Sequence, residues 1–374
     1  MASLGLEKFR RQLTPRLTRG VFGATHATER TTLPRAGIHR ILVCRTVHTL
    51  GDSLMLTPLL EELANIYPGA EMDIISGYSS APALYAFHPN VRCVFRLPAH
   101  VPGHPLGTLR VLHSMRRKHY DLAIDPDPRS QSGRLLTLYA DADRKLGYLG
   151  PNKGGALSHG VDASDAPSHR AMEGVYLLRT ALGEAATLHN YPQPSSWLTA
   201  EERERGRQRL ARVCGVRNAA GPLPYIGIFA NATRDKLLSL DWWRRFLAAF
   251  RPHTSQYHMI EILPAFGRSL LEDRYPSFYC SDVRGLAAVL ANLSLYISAD
   301  CGVMHLAWAT GAPTIGLFNA TKTAEWGPWG GHNHSLDLHE TAPEQIALSA
   351  AKVLDAVCNE HFSYILAGPA SRDS

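Results

Sequence analysis

The feature that most constrains this chain is an alternation of short apolar runs with helix-length segments, broken once and then restarted. Ile38 to Thr46 (IHRILVCRT) is apolar and β-branched and reads as a buried strand. A loop through Gly51 follows, then a helix from Ser53 to Tyr67, with Leu59, Leu60, Leu63 and Ile66 on one face. Pro58 either opens that helix behind Thr57 or kinks it. Met72 to Ser76, Val91 to Leu97 and Tyr120 to Asp125 read as further strands, and Leu109 to Lys118 as a helix. Residues 150 to 170 look irregular, Ala171 to Leu182 helical, and Tyr191 to Ser196 is a proline-rich break. After a charged helix from Glu201 to Val213 the series restarts. Strands are expected at Tyr225 to Ala230, His258 to Leu263, Leu293 to Ser298 and Pro313 to Phe318. Helices are expected at Leu240 to Phe250, Val283 to Asn292, Gly302 to Thr310 (ended by Gly311) and Pro343 to Cys358. Such alternation predicts an α/β chain of two Rossmann-like, doubly wound domains with parallel sheets. Facing each other across a cleft, they would form a bisubstrate site. The expected divisions are an arm over 1–37, domains over 38–195 and 196–342, and a helix and tail over 343–374.

The 374 residues suffice for two cores. A hydrophobic share of 45% against 19% charged describes a globular protein rather than a disordered one. No apolar run approaches the ~20 residues of a membrane-spanning helix, and nothing near the N-terminus resembles a secretory signal. The 6 cysteines are scattered singly without CxxC spacing, which argues against zinc or a redox pair and for a reducing cytoplasm. The 18 histidines include no HExxH spacing. Net charge is +6, yet residues 1 to 45 hold nine basic residues against Glu7 and Glu29, so the rest is close to neutral. Within that arm Leu4, Leu6, Phe9, Leu13 and Leu17 fall at near-helical spacing among arginines. Two readings stand: a basic amphipathic helix on an anionic membrane surface, or a solvated tail. No recognised nucleic-acid module accompanies it.

Three loops at strand ends carry chemistry. In the run Asp300-Cys301-Gly302-Val303-Met304-His305, an apolar strand gives way to a helix. The free N–H groups and positive dipole end of that helix suit a diphosphate, and Gly302 permits close approach of a ligand. Asp300 either accepts hydrogen bonds from sugar hydroxyls or is a plain N-cap. In Thr46-Val47-His48-Thr49-Leu50-Gly51-Asp52 a carboxylate again stands between strand and helix. It can act as general base toward a hydroxyl, or cap the helix. In Asn231-Ala232-Thr233-Arg234-Asp235-Lys236, hydroxyl and cationic groups suit an anionic leaving group; a solvated loop is the alternative.

Taken together, these segments resemble glycosyltransferase family 9, the heptosyltransferases, which carry the GT-B fold. ILVCRTVHTLGDSLMLTPLLEELANIYPGAEMDII is similar to the family's opening strand, Gly-Asp loop, Thr-Pro helix and second strand. NATRDKLLSLDWWRRF resembles its donor-side loop. ISADCGVMHLAWATGAPTIGLF resembles its Asp-Thr-Gly-x-x-His-Leu block, and NATKTAEWGPWG the segment that closes it. The resemblance implies Asp52 as catalytic base, with Thr49 and Gly51 in the acceptor-side loop. It implies Asp300 on the donor sugar, Cys301, Gly302 and Val303 at the diphosphate turn, and Thr233 and Lys236 on the donor phosphates; the neighbouring guanidinium of Arg234 could assist them. His305 is the block's histidine, either at the donor or bracing the loop.

The implied reaction is inverting, metal-independent transfer from a nucleotide sugar, ADP-heptose in the best-known members. The acceptor would be a lipopolysaccharide-type glycolipid at the cytoplasmic face of a bacterial inner membrane. No cofactor is expected. Asp125-Pro126-Asp127 has the spelling of a metal-binding DxD but reads as a turn away from the donor loop. Departures fall at Cys301, where threonine is usual, and at Asn319-Ala320-Thr321, where Gly-Pro-Thr is usual. The loop between Thr233 and Lys236 is one residue short, and no acidic residue for a ribose stands near Phe266-Gly267-Arg268. They leave open another nucleotide sugar or a protein acceptor on the same fold. A catalytically lapsed binding or assembly module is the alternative of a different class. A dinucleotide-dependent enzyme is disfavoured, because no GxGxxG follows either opening strand.

Overall fold

A strand buried on both faces shows no polar alternation, and the continuous apolar runs of this chain become central strands of parallel sheets. The computed structural model describes residues 32–98, 103–150, 153, 156–184, 190–215 and 224–367. The amphipathic stretch of the basic arm and the tail from Gly368 lie outside them. The chain divides into two units, Met1–Pro194 and Ser195–Ser374.

In the first unit the order is β1 (Arg40–Arg45), α1 (Leu50–Leu54), α2 (Thr57–Ile66), β2 (Glu71–Ser76), α3 (Ala81–Tyr85), β3 (Val91–Arg96), α4 (Pro105–Arg116), β4 (Tyr120–Asp125), α5 (Gln131–Tyr139), β5 (Ala142–Leu149), β6 (His159–Asp162) and α6 (Arg170–Ala181). The sheet is parallel, ordered β3-β2-β1-β4-β5-β6, with Val43 in register between Ile74 and Ile124. Leu42, Cys44 and Ile75 of the strands pack with Phe95, Met115 of α4, Tyr120 and Leu136 of α5. Helices α2 and α6 pack against each other, and Gly174 lets α6 close on Leu59.

The second unit contains α7 (Ala200–Val213), β7 (Tyr225–Phe229), a 3-10 turn (Arg234–Lys236), α8 (Leu240–Phe250), β8 (His258–Ile262), β9 (Ser277–Phe278), α9 (Val283–Leu290), β10 (Leu295–Ala299), α10 (Gly302–Ala309), β11 (Thr314–Phe318), α11 (Thr323–Trp326), β12 (His334–Asp337) and α12 (Pro343–Ala367). Its parallel sheet runs β12-β11-β10-β7-β8-β9, the first unit's order read from the other edge. Ile226, Ile228, Leu295, Ile297, Ile315 and Leu317 pack beneath Trp243, Phe246 and Phe250 of α8 and Ile346, Ala350 and Leu354 of α12. Both units are therefore of the expected α/β class.

Several local expectations change. The helix expected over Ser53 to Tyr67 is two helices. Pro58 has no N–H to donate back along a continuous helix, so it sits in the first turn of α2 and α1 ends at Leu54. Residues 150 to 170 include β6, whose four residues alternate buried and exposed. Strand β5, carrying Asp143, Arg144 and Lys145, is another addition. Both lie toward an edge of the sheet, where charged side chains blunt pairing and weaken the apolar signal.

Candidate functional site

In a doubly wound sheet the helices leave the carboxyl ends of the strands in opposite directions where the order reverses, and ligands bind in the crevice there. The reversal falls between β1 and β4 in the first unit and between β7 and β10 in the second. Asp52 follows β1. Asp300 follows β10, and the Thr233–Lys236 segment follows β7.

In the second unit Asp300 is the hub. Its side chain is only 3% exposed, and three elements reach it. Lys236, from the 3-10 turn, donates from Nζ to Oδ2 at 2.7 Å. Thr321, after β11, donates its hydroxyl to the same oxygen. His305, in α10, places Nε2 3.4 Å from Oδ1. Burial works against a charged carboxylate here. The hydrogen bonds from His305, Lys236 and Thr321 outweigh it and hold the Asp300 pKa down at about 2. The segment is pinned further by the Asp300 N–H donating to Leu317 O at 3.0 Å. Asn319 Nδ2 donates to Asp235 O at 2.8 Å.

Asp300 is not the N-cap of α10; Cys301 holds that position, with extended backbone and no side-chain cap bond. Its Sγ lies 3.3 Å from Ser298 Oγ, and burial pushes the thiol pKa up. Gly302 and Val303 open α10 and are partly exposed. Thr233 and Arg234 are exposed, and Arg234 has a left-handed backbone, with φ 53°. His305 is buried against Trp326, ring centroids 5.8 Å apart, and its Nδ1 has no hydrogen-bond partner. The second unit thus gathers Lys236, Asp300 and His305 at one point and adds Thr321, which the sequence reading noted only as part of a departure. A hydroxyl three residues past an apolar strand was the available signal.

In the first unit Asp52 lies in the opening turn of α1. Thr49 caps that helix by accepting from the Asp52 N–H at 3.2 Å, and its hydroxyl donates to Asp52 Oδ2 at 2.6 Å. One threonine therefore fixes both backbone and carboxylate, leaving Oδ1 outside this pair. The loop before it is held by His48 Nδ1, 3.0 Å from Gly77 O. Thr46 Oγ1 stands 3.4 Å from Ser130 Oγ, at the start of α5.

Behind Asp52 lies a charged network that the sequence did not disclose. Arg129 makes a bidentate pair with Glu173 at 2.6 and 2.7 Å. Asp127 receives the Arg129 N–H at 2.8 Å and stands 3.6 Å from Nη1 of the buried Arg45. Asp125, fully buried, takes Lys153 Nζ at 2.7 Å and Arg134 Nε at 3.2 Å. Asp125, the last residue of β4, and Asp127, just beyond it, thus have cations from within the chain as partners. A different group, His119, Asp121 and Asp143, brings ligand-type atoms within 4.8 Å of one another at the amino ends of β4 and β5. There His119 already contacts Asp141 and Asp143 at 3.3 Å, and Asp121 caps the His39 and Arg40 N–H groups.

Residues 282–354, from the cap of α9 into α12, match the family model of glycosyltransferase family 9 (heptosyltransferase). The chain is 21% identical over 294 residues to lipopolysaccharide heptosyltransferase 3 of Escherichia coli strain K12, covering 75% of this chain and 82% of that protein. Among solved structures it is similar to a glycosyl transferase family 9 protein from Veillonella parvula, with TM-score 0.70, 16% identity, 86% of this chain and 99% of that one. It is also similar to E. coli heptosyltransferase WaaC solved with ADP, with TM-score 0.65, 18% identity and coverages of 85% and 99%. The two parallel six-stranded sheets are those of the GT-B fold. The resemblance to glycosyltransferase family 9 is confirmed, with the matched block holding Asp300, Cys301, Gly302, Val303, His305 and Thr321.

Proposed function

We propose that this chain is an inverting glycosyltransferase that moves a heptose or related sugar from an ADP-linked donor to a hydroxyl of a lipopolysaccharide-type glycan. The observation that carries the reading is the buried, ionised Asp300 holding Lys236 beside the start of α10. A cation, a helix start and a fixed carboxylate together suit a sugar diphosphate. Oδ2 of Asp300 is taken by Lys236 and Thr321, while Oδ1 has only the longer His305 contact and keeps lone pairs for sugar hydroxyls.

In this reaction Asp52 takes the proton of the acceptor hydroxyl as its oxygen attacks the anomeric carbon. The bond from that carbon to the phosphate oxygen breaks on the opposite side, which inverts the centre. The departing diphosphate is stabilised by the N–H groups of Gly302 and Val303, by Lys236 and by Arg234. The Thr49 bond to Oδ2 keeps Asp52 in one rotamer and directs its other oxygen to the substrate. An adenine nucleotide is preferred because WaaC was solved with ADP. Cys301 and Asn319-Ala320 keep a second donor in view, since each replaces a residue usual at the diphosphate turn. Among the described residues no helix is long and apolar enough to cross a membrane. A cytoplasmic enzyme meeting its glycolipid at the inner membrane is the setting we propose.

The test is turnover of a donor panel by the purified chain and its Asp52→Asn variant. ADP-heptose is expected to be consumed in preference to UDP- and GDP-sugars. Asp52→Asn should lower kcat by about 10²- to 10⁴-fold, the range of a general base, with little change in donor KM. Turnover only with another nucleotide would overturn the donor, and an unaltered kcat in Asp52→Asn would overturn the base.

A further inference from the structure

Helix α4 has two faces of unlike character. Thr108 and Met115 are buried, and Val111 and Leu112 pack with them toward the core of the first unit. Leu106, Leu109, Arg110, His113 and Arg117 are all exposed. They stand at i, i+3, i+4, i+7 and i+11, which puts them on one outward stripe. Leu106 is 70% and Leu109 60% exposed, the two most exposed large apolar side chains among the described residues. Residues 103 to 120 contain no aspartate or glutamate, but do contain Arg110, Arg116, Arg117 and Lys118. Arg116 is spent on Tyr139, bonding its carbonyl at 3.0 Å and covering its ring, and Lys118 is spent on Asp73 at 2.7 Å. Arg110 and Arg117 have no ion pair among the described residues, and both point outward beside the leucines.

A core-packing role does not account for this stripe, because the opposite side of the helix does the packing. A purely polar partner does not account for the leucines. Apolar side chains followed along the helix by unpaired guanidinium groups complement an anionic lipid surface, where acyl chains lie beneath a layer of phosphates. Topology adds a direction. β3 ends at the carboxyl edge of the sheet and β4 begins at the amino edge, so α4 starts at the carboxyl edge, where β1 delivers Asp52. Leu106 and Leu109, in its first turns, belong to that edge.

We propose that the outward stripe of α4 docks this protein on anionic membrane lipid, with Leu106 and Leu109 entering the headgroup boundary and Arg110 and Arg117 meeting lipid phosphates. The inference goes beyond the proposed reaction and does not depend on it, since binding is read without turnover. The full-length chain is sedimented with phosphatidylcholine vesicles, with and without phosphatidylglycerol. Binding should require phosphatidylglycerol. It should weaken by about tenfold in Leu106→Ser/Leu109→Ser, and by a similar factor in Arg110→Ala/Arg117→Ala. Vesicles should slow amide exchange over residues 105–117 of the parent chain, a readout that does not depend on the variants folding. Equal binding by the leucine variant would mark a polyanion surface and overturn the proposal. So would absence of binding by the parent, or unchanged exchange in α4. Loss confined to an Arg10→Ala/Arg11→Ala/Arg16→Ala/Arg19→Ala variant would assign the contact to the N-terminal arm instead, and equally overturn it.

Discussion

Three donors converge on Asp300, and each can be removed singly. Lys236 both neutralises this carboxylate and is proposed to meet the donor phosphates, so Lys236→Met should act twice. Donor KM is expected to rise by about tenfold or more, the scale of one charge-assisted contact in a partly buried site. The melting temperature should fall too, because a buried carboxylate loses its nearest cation. Isothermal titration with ADP and a thermal melt separate the two; unchanged ADP affinity would detach Lys236 from the donor. Asp52, Lys236 and Asp300 were legible in the sequence because each is a polar residue in the loop or first helical turn that follows an apolar strand. Thr321 was not singled out, since its role depends on β11 lying beside β10, a contact no local pattern announces. The same holds for Arg129 and Glu173, 44 positions apart in sequence and bonded in space.

Elements were easiest to read where both faces are buried. β1, β7, β10 and β11 were located to within a few residues because no charged residue interrupts their interiors. β6 and β12 were missed because edge strands need no such run, and β5 because Asp143, Arg144 and Lys145 interrupt its apolar pattern. The break between α1 and α2 was half legible: Pro58 signalled an interruption, but whether it opened or kinked a helix turns on a hydrogen bond that the sequence does not display. Close helix packing was invisible in the same way. A Cβ on Gly206 of α7 would lie 1.9 Å from the Ala288 carbonyl oxygen of α9. Gly206→Ala is therefore expected to destabilise the protein by about 1–3 kcal/mol, although alanine is the better helix former. Urea unfolding checks the sign, and a stabilised variant would mean that α7 and α9 are not in backbone contact.

For the molecule as a whole, the charge held by Asp300 sets a limit toward acid. Its folded pKa, at about 2, lies below the ordinary 3.8. The stability it contributes is full above the ordinary value and is lost as pH falls through the folded one. That contribution is about 2 kcal/mol. Glu202 is held at about 2 as well, chiefly by its hydrogen bonds from Arg284, with two contacts of 2.6 Å, and burial opposes this. Stability measured by denaturant titration should be level from pH 7 to 5 and decline from about pH 4 toward 2. Asp300→Asn should flatten part of that decline; an unaltered acid slope would show that Asp300 titrates alike folded and unfolded. Both sheets share one strand order, with strands 3-2-1-4-5-6 in each. Each sheet therefore has its own point of strand-order reversal and its own crevice at the carboxyl ends of its strands. Since the strands of each core are drawn from one unit alone, a substitution in the loops at one crevice leaves the strands beneath the other unchanged.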